Sequence, residues 1–143
     1  MSGNFLCPPS DAERRERYRV RVLEAPSLGA AGIGHGAPGA RELLSWDAVE
    51  RVLVAEVGEP EGVRTIVCDL VTGASGGVLV VHRLDADPGE AAMALARDLE
   101  SGLGPQRATA ALKSLAADGL ATRWFPDLRA FEEDALAEFE QGQ

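Results

Sequence analysis

The sequence predicts an α+β fold: an antiparallel β-meander or partial barrel capped by a C-terminal helix, with additional C-terminal helices. Three observations predict it. Valine-rich, strand-like runs at Arg51–Val57, Val63–Val71 and Gly77–Leu84 are separated by turn-forming clusters. The period then changes at Asp87-Pro88-Gly89-Glu90. There Asp87 has an N-cap side chain, Pro88 suits a first helical position, and Glu90 completes a capping-box-like spacing. Strands in the first half and helices in the second indicate an α+β order rather than repeated βαβ units.

Each element has its own signal. Residues 1–11 read as a flexible N-terminal tail, because Gly3, Pro8 and Pro9 interrupt regular structure. Ala12–Arg17 has the composition of a short charged helical turn. From Arg17 to Leu23 the residues alternate. Arg17, Arg19 and Arg21 fall on one side and Tyr18, Val20 and Val22 on the other, the pattern of a half-buried strand. Pro26–Gly39 is rich in Gly, Ala and Pro and predicts a long loop. A short strand is expected at Glu42–Trp46, a turn at Asp47–Val49, and then a hairpin of Arg51–Val57 with Val63–Val71 around Gly58–Gly62. Thr72–Gly76 turns the chain into the third run.

The helix from Pro88 places Ala92, Ala96, Leu99 and Leu103 on one stripe, fitted to pack on the sheet, and ends at Gly104-Pro105. A second helix, about Gln106–Asp118, turns Ala108, Ala111, Leu112 and Leu115 inward and stops at Gly119. Ala121–Phe125 is extended or irregular. A last helix from Asp127 carries Leu128, Phe131, Ala135 and Phe139 on one face. The expected organisation is therefore a tail over 1–11, a β-rich domain closed by a helix over 12–104, and a helical extension over 105–143. That extension either packs on the same domain or docks a partner.

Composition narrows the function classes. Of the 143 residues 45% are hydrophobic, enough for a core, but only 5% are aromatic, so Val, Leu and Ala must fill it. The net charge of −9 repels polyphosphate, which argues against nucleic-acid binding. Lys113 is the single lysine; the other basic residues are arginines. Cys7 and Cys68 form no Cys-x-x-Cys or Cys-x-x-His pair, so neither a disulfide framework nor a zinc site is signalled. No apolar run has the length of a membrane span, and no signal peptide is recognisable. A cytoplasmic setting is the expectation.

Leu44-Ser45-Trp46-Asp47-Ala48-Val49-Glu50-Arg51-Val52 forms a Trp-acid entry to a strand. Arg83-Leu84-Asp85-Ala86-Asp87-Pro88-Gly89-Glu90 joins a strand directly to a capped helix. With the valine-rich meander, these stretches resemble bacterial pleckstrin-homology-like domains over Arg17–Gly104. The resemblance implies binding of proteins, peptides or lipid headgroups rather than catalysis. The run Arg15-Glu16-Arg17-Tyr18-Arg19 is similar to the arginine arm of PilZ domains, but their second element, a D/N-x-S-x-x-G turn, is missing.

The candidate sites are few. Arg14, Arg15, Arg17, Arg19 and Arg21 form the only basic concentration. It is suited to a phosphate, an acidic peptide or the protein's own acidic surface, or is simply a solvated strand face. Trp124, Phe125, Leu128, Phe131 and Phe139 gather much of the aromatic surface. They either complete the domain's own core or anchor the segment in a partner's groove. Cys68 and His82 are too few to ligate a metal. No catalytic residue, metal or cofactor is expected. The leading expectation is a non-enzymatic, cytoplasmic protein–protein interaction or adaptor module, with self-assembly as one form of it. Its partner-binding residues would be Arg17, Arg19, Arg21, Trp124, Phe125, Leu128, Phe131 and Phe139. The alternative is a sensor that binds an anionic small molecule or lipid headgroup through the Arg14–Arg21 strand.

Overall fold

The computed structural model describes residues 10–24, 26–37, 39–58, 61–113, 115 and 120–141. Of the tail expected over 1–11, residues 1–9, with Cys7, lie outside the described residues, while Ser10 and Asp11 are not tail but the cap and first residue of a helix; the helix stop expected at Gly119 also lies outside the described residues. Ser10 opens α1 (Asp11–Arg17) with a complete capping box: its hydroxyl accepts the Glu13 N–H, and the Glu13 carboxylate accepts the Ser10 N–H. β1 (Tyr18–Val22) follows at once. β2 (Ser27–Gly29), β3 (Gly32–His35) and β4 (Glu42–Leu44) then make a small antiparallel sheet of their own. A 3-10 turn at Trp46–Ala48 leads into β5 (Arg51–Gly58), β6 (Arg64–Ser75) and β7 (Val78–Ala86). α2 (Glu90–Leu103), α3 (Pro105–Ala111), β8 (Trp124–Phe125) and α4 (Leu128–Gln141) complete the chain.

The fold is α+β, as the sequence predicts. β5, β6 and β7 form the antiparallel meander, with a register shift between Val71 and Gly73. The two outermost strands are added in parallel, so the main sheet has the order β1-β7-β6-β5-β8. It does not close into a barrel.

Both faces of this sheet are covered, which explains why its strands read as continuous valine runs rather than strict alternations. Along β5, Val52 and Val54 point to one side and Leu53, Ala55 and Val57 to the other; all five are buried. The first side packs against Ala92, Leu99 and Leu103 of α2, Ala108 of α3, and Ile33 of the small sheet. The second packs against Phe131, Ala135 and Leu136 of α4. Each fully buried Val or Leu in these layers contributes about 1.5–3 kcal/mol relative to exposure. Trp46 ties the small sheet to the helices. Its Nε1 donates to the Gly29 carbonyl at 2.7 Å, its ring lies against Gly102 of α2, and its own carbonyl accepts from Arg107 of α3.

Several expectations need correction. The turn expected at Thr72–Gly76 is strand as far as Ser75, because β6 continues to pair with β7 past the register shift and the chain reverses only at Gly76-Gly77. The Pro26–Gly39 stretch is not a structureless loop but holds β2 and β3. Ile33 is fully buried, and Gly32 lets β3 approach β4 so closely that a Cβ there would lie 2.3 Å from the Leu44 carbonyl oxygen. Asp87 does not cap α2 with its side chain. The helix begins at Glu90, because Gly89 sits at φ 104 and breaks the turn, and Asp87 contributes only its backbone carbonyl, to Ala92. α3 ends at Ala111 rather than Asp118. β1 is not half-buried: Tyr18 alone is buried, and Val20 and Val22 are exposed.

Candidate interaction surface

The arginine row divides between three tasks. Arg14 and Arg17 end α1 on the side facing α4, where Arg14 lies 3.6 Å from Glu133 and Arg17 pairs with Glu140. Arg21 pairs with Glu42 of β4. Arg15 and Arg19 remain exposed. The acidic surface that the α1 end of this row meets is the protein's own, on α4.

The aromatic segment is likewise used inside the molecule. Asp127 accepts the Ala130 N–H at 2.8 Å and caps α4. Phe131 is 2% exposed and lies 5.5 Å from the Phe125 ring; Phe139 and Phe125 are half-buried beneath Arg51 and Arg123. Phe131 is therefore a core residue and anchors no partner while α4 is seated. Only Trp124 and Leu128, at 52% and 41% exposure, still face solvent. Arg64 lies 5.9 Å from the Trp124 ring. The acids of α4 are met by arginines of the body: Glu132 by Arg83, Asp134 by Arg123, and Glu138 by Arg51. These acids are thus paired within the molecule.

Under α4 lies a buried charged joint with no warning in the sequence beyond an acid inside a valine run. Asp69 of β6 is fully buried. Arg83, its cross-strand neighbour on β7, donates to it from Nε at 2.8 Å and from its terminal nitrogen at 2.9 Å; the Tyr18 hydroxyl donates to the same carboxylate. Arg83 also reaches Glu132 of α4 at 3.2 Å. Burial, then the Asp69 charge and hydrogen bond, push the Tyr18 phenol well above its ordinary value. Burial disfavours the Arg83 cation, but Asp69 and Glu132 outweigh it and raise its pKa. Glu132 is also raised, chiefly by burial, with Arg83 opposing. Both Asp69 oxygens are occupied within the protein, so the group acts as a joint between β1, β6, β7 and α4.

A second polar cluster joins the two sheets. Arg21 and His82 are paired in the main sheet, and His35 and Glu42 in the small one. His35 Nε2 lies 3.5 Å from Glu42. Both histidines of the chain belong to this cluster. Burial, followed by Arg21 and His35, lowers the His82 pKa, with Glu42 opposing. His82 Nδ1 is buried without a hydrogen-bond partner among the described residues. No group of three or more metal-ligating side chains occurs among the described residues.

Among the described residues the outer edge of β1 is unpaired. The Leu23 N–H donates inward to Arg83 of β7, so by the two-residue period Val20 and Val22 turn their N–H and C=O groups outward. No strand among the described residues pairs with that edge. Val20 and Val22 expose apolar side chains there at 37% and 64%, flanked by the exposed cation of Arg19. No helix among the described residues is long and apolar enough to cross a membrane. No protein-family model matches the chain, and neither a curated protein nor a solved structure is significantly similar to it.

Proposed function

We propose that the protein is a non-catalytic interaction module that adds an extended, acidic segment of a partner protein to the open edge of β1. The observation that carries this reading is the β1 edge itself: outward backbone groups at Val20 and Val22, exposed apolar side chains, and Arg19 beside them. Strand addition uses such an edge for affinity and the alternate side chains for specificity.

Charge selects the partner. Antiparallel pairing of β1 with a second copy of itself sets an arginine opposite an arginine in each register that keeps the faces aligned, and like charges directly opposite are destabilising. Glutamate or aspartate at those positions reverses the sign. Self-assembly through β1 is thus the weaker form of the proposal. The sensor alternative is also weaker, because Arg14, Arg17 and Arg21 already have acidic neighbours. A pleckstrin-homology-like relationship remains part of the proposal on the meander that runs directly into α2. A cytoplasmic setting remains part of it on the free thiol of Cys68.

The test is titration with a peptide alternating glutamate and valine, against one with lysine in place of glutamate. The acidic peptide should bind and perturb the amides of Val20 and Val22, and Arg19→Glu should reverse the preference. Equal binding of the two peptides, or binding unaffected by Arg19→Glu, refutes the proposal.

A further inference from the structure

At the opposite edge of the main sheet, β5 is only partly covered. β8 pairs with Glu56 and Val57 alone. The Glu56 N–H donates outward to the Arg123 carbonyl at 2.9 Å. The two-residue period therefore turns the N–H and C=O groups of Val54 and Val52 the same way, beyond the reach of β8. They open on a cavity of about 340 Å³ between β5, α3 and Arg123.

Its charge is opposite to that of the molecule. Among the described residues four cations line it, Arg51, Arg107, Lys113 and Arg123, against two acids, Glu50 and Glu138. The surplus is positive in a chain of net charge −9. Arg51 and Arg123 are tied to Glu138, at 2.9 and 3.8 Å. Arg107 instead hydrogen-bonds to the carbonyls of Trp46 and Val49 and meets no carboxylate among the described residues. Lys113 is exposed and has no ion pair among them. Leu103, Ala110 and Val52 supply apolar wall.

We propose that this cavity is a binding site for a small organic carboxylate with an apolar body. Arg107, Lys113 and the outward N–H groups of β5 serve its anionic end, and the Leu103–Ala110 wall takes its hydrocarbon. Apolar and charged residues share the lining among the described residues, as an amphipathic ligand needs, and the volume falls within the ordinary range of small-molecule sites. A bare inorganic anion leaves the apolar wall unused, and a neutral chain leaves the surplus cations unused. The site is independent of the β1 edge and stands or falls separately from it.

The test follows backbone amide shifts of the full chain during titration with octanoate, octan-1-ol and inorganic phosphate. Octanoate should give saturable shifts at Val52, Val54 and Ala110, with the other two ligands at least about tenfold weaker. Lys113→Glu, at an exposed position, should weaken octanoate about tenfold while leaving the melting temperature unchanged. Ala110→Trp should block binding by filling the cavity. Absence of saturable octanoate shifts, equal binding of phosphate or octanol, or an unchanged affinity in Lys113→Glu overturns the proposal.

Discussion

The Trp46 indole occupies the space that a side chain on Gly102 would need: a Cβ there would lie 2.1 Å from Cε2 and 2.2 Å from Cζ2 of the ring. The contact joins the strand-entry segment to the last turn of α2 at a point where both are well packed. Gly102→Ala should therefore destabilise the protein by about 1–3 kcal/mol through overpacking, although alanine is the better helix former. Urea unfolding measures it; a stabilised Gly102→Ala protein would show that Trp46 moves freely.

The Asp69–Arg83 joint gives an asymmetric expectation. Asp69→Ala leaves a buried guanidinium without its main partner and should cost about 3–5 kcal/mol. Replacing both residues with apolar ones, Asp69→Leu with Arg83→Met, should cost far less than the single change. A double-mutant cycle by chemical denaturation settles the comparison. Equal losses in the single and double variants would mean that packing, not charge, holds the joint.

α4 is held by apolar anchors more than by its ion pairs. Phe131→Ala, at a buried position, should cost about 3–5 kcal/mol. Glu138→Gln or Glu140→Gln, both at exposed pairs, should each cost less than about 1 kcal/mol, and less again in high salt. Hydrogen exchange across α4 distinguishes the two contributions, since only loss of Phe131 should expose the whole helix.

His82 should make the fold acid-sensitive. Its folded-state pKa is lowered from 6.5, so the unfolded chain takes up the proton first. The stability it contributes is complete above pH 6.5 and is lost as pH falls from there to the folded value. The groups facing it are Arg21, His35 and Glu42. Glu132 acts in the opposite sense: its raised pKa favours the protonated carboxyl in the fold, so stability falls as pH rises from 4.5. The difference in melting temperature between pH 7.5 and pH 6 should shrink in His82→Gln. An unaltered difference would assign the acid sensitivity to other groups.

Cys68 should be inert. Burial, reinforced by the neighbouring Asp69 charge, pushes its thiol far above the ordinary range, which suppresses the thiolate. Iodoacetamide should spare Cys68 in the folded protein and modify it in urea, as read by peptide mapping.

Much of this architecture was legible. The meander, the stripe of α2 and the aromatic face of α4 were encoded locally, by valine runs, Ala92–Leu99–Leu103 spacing and Phe131–Ala135 spacing. What escaped was non-local. β1 pairs in parallel with β7, so nothing near Val20 announces that its side chain is left uncovered. The Asp69–Arg83–Tyr18 joint and the His35–His82 cluster draw each member from a different strand, and no spacing rule connects them. Gly89 broke the cap expected at Asp87 through a backbone angle that its neighbours do not reveal. The one face expected for Leu128, Phe131, Ala135 and Phe139 is split: Phe131 and Ala135 are buried against the apolar side of β5 and β6, whereas Leu128 stays exposed at the start of the helix.

The parallel pairing of β1 has a consequence for the order in which the molecule can be built. Tyr18 is made more than fifty residues before its neighbour Leu79 and the Arg83–Asp69 pair that engages its hydroxyl. Among the described residues β1 must therefore wait for its partner strand until the hairpins of the centre have closed and offered it a place.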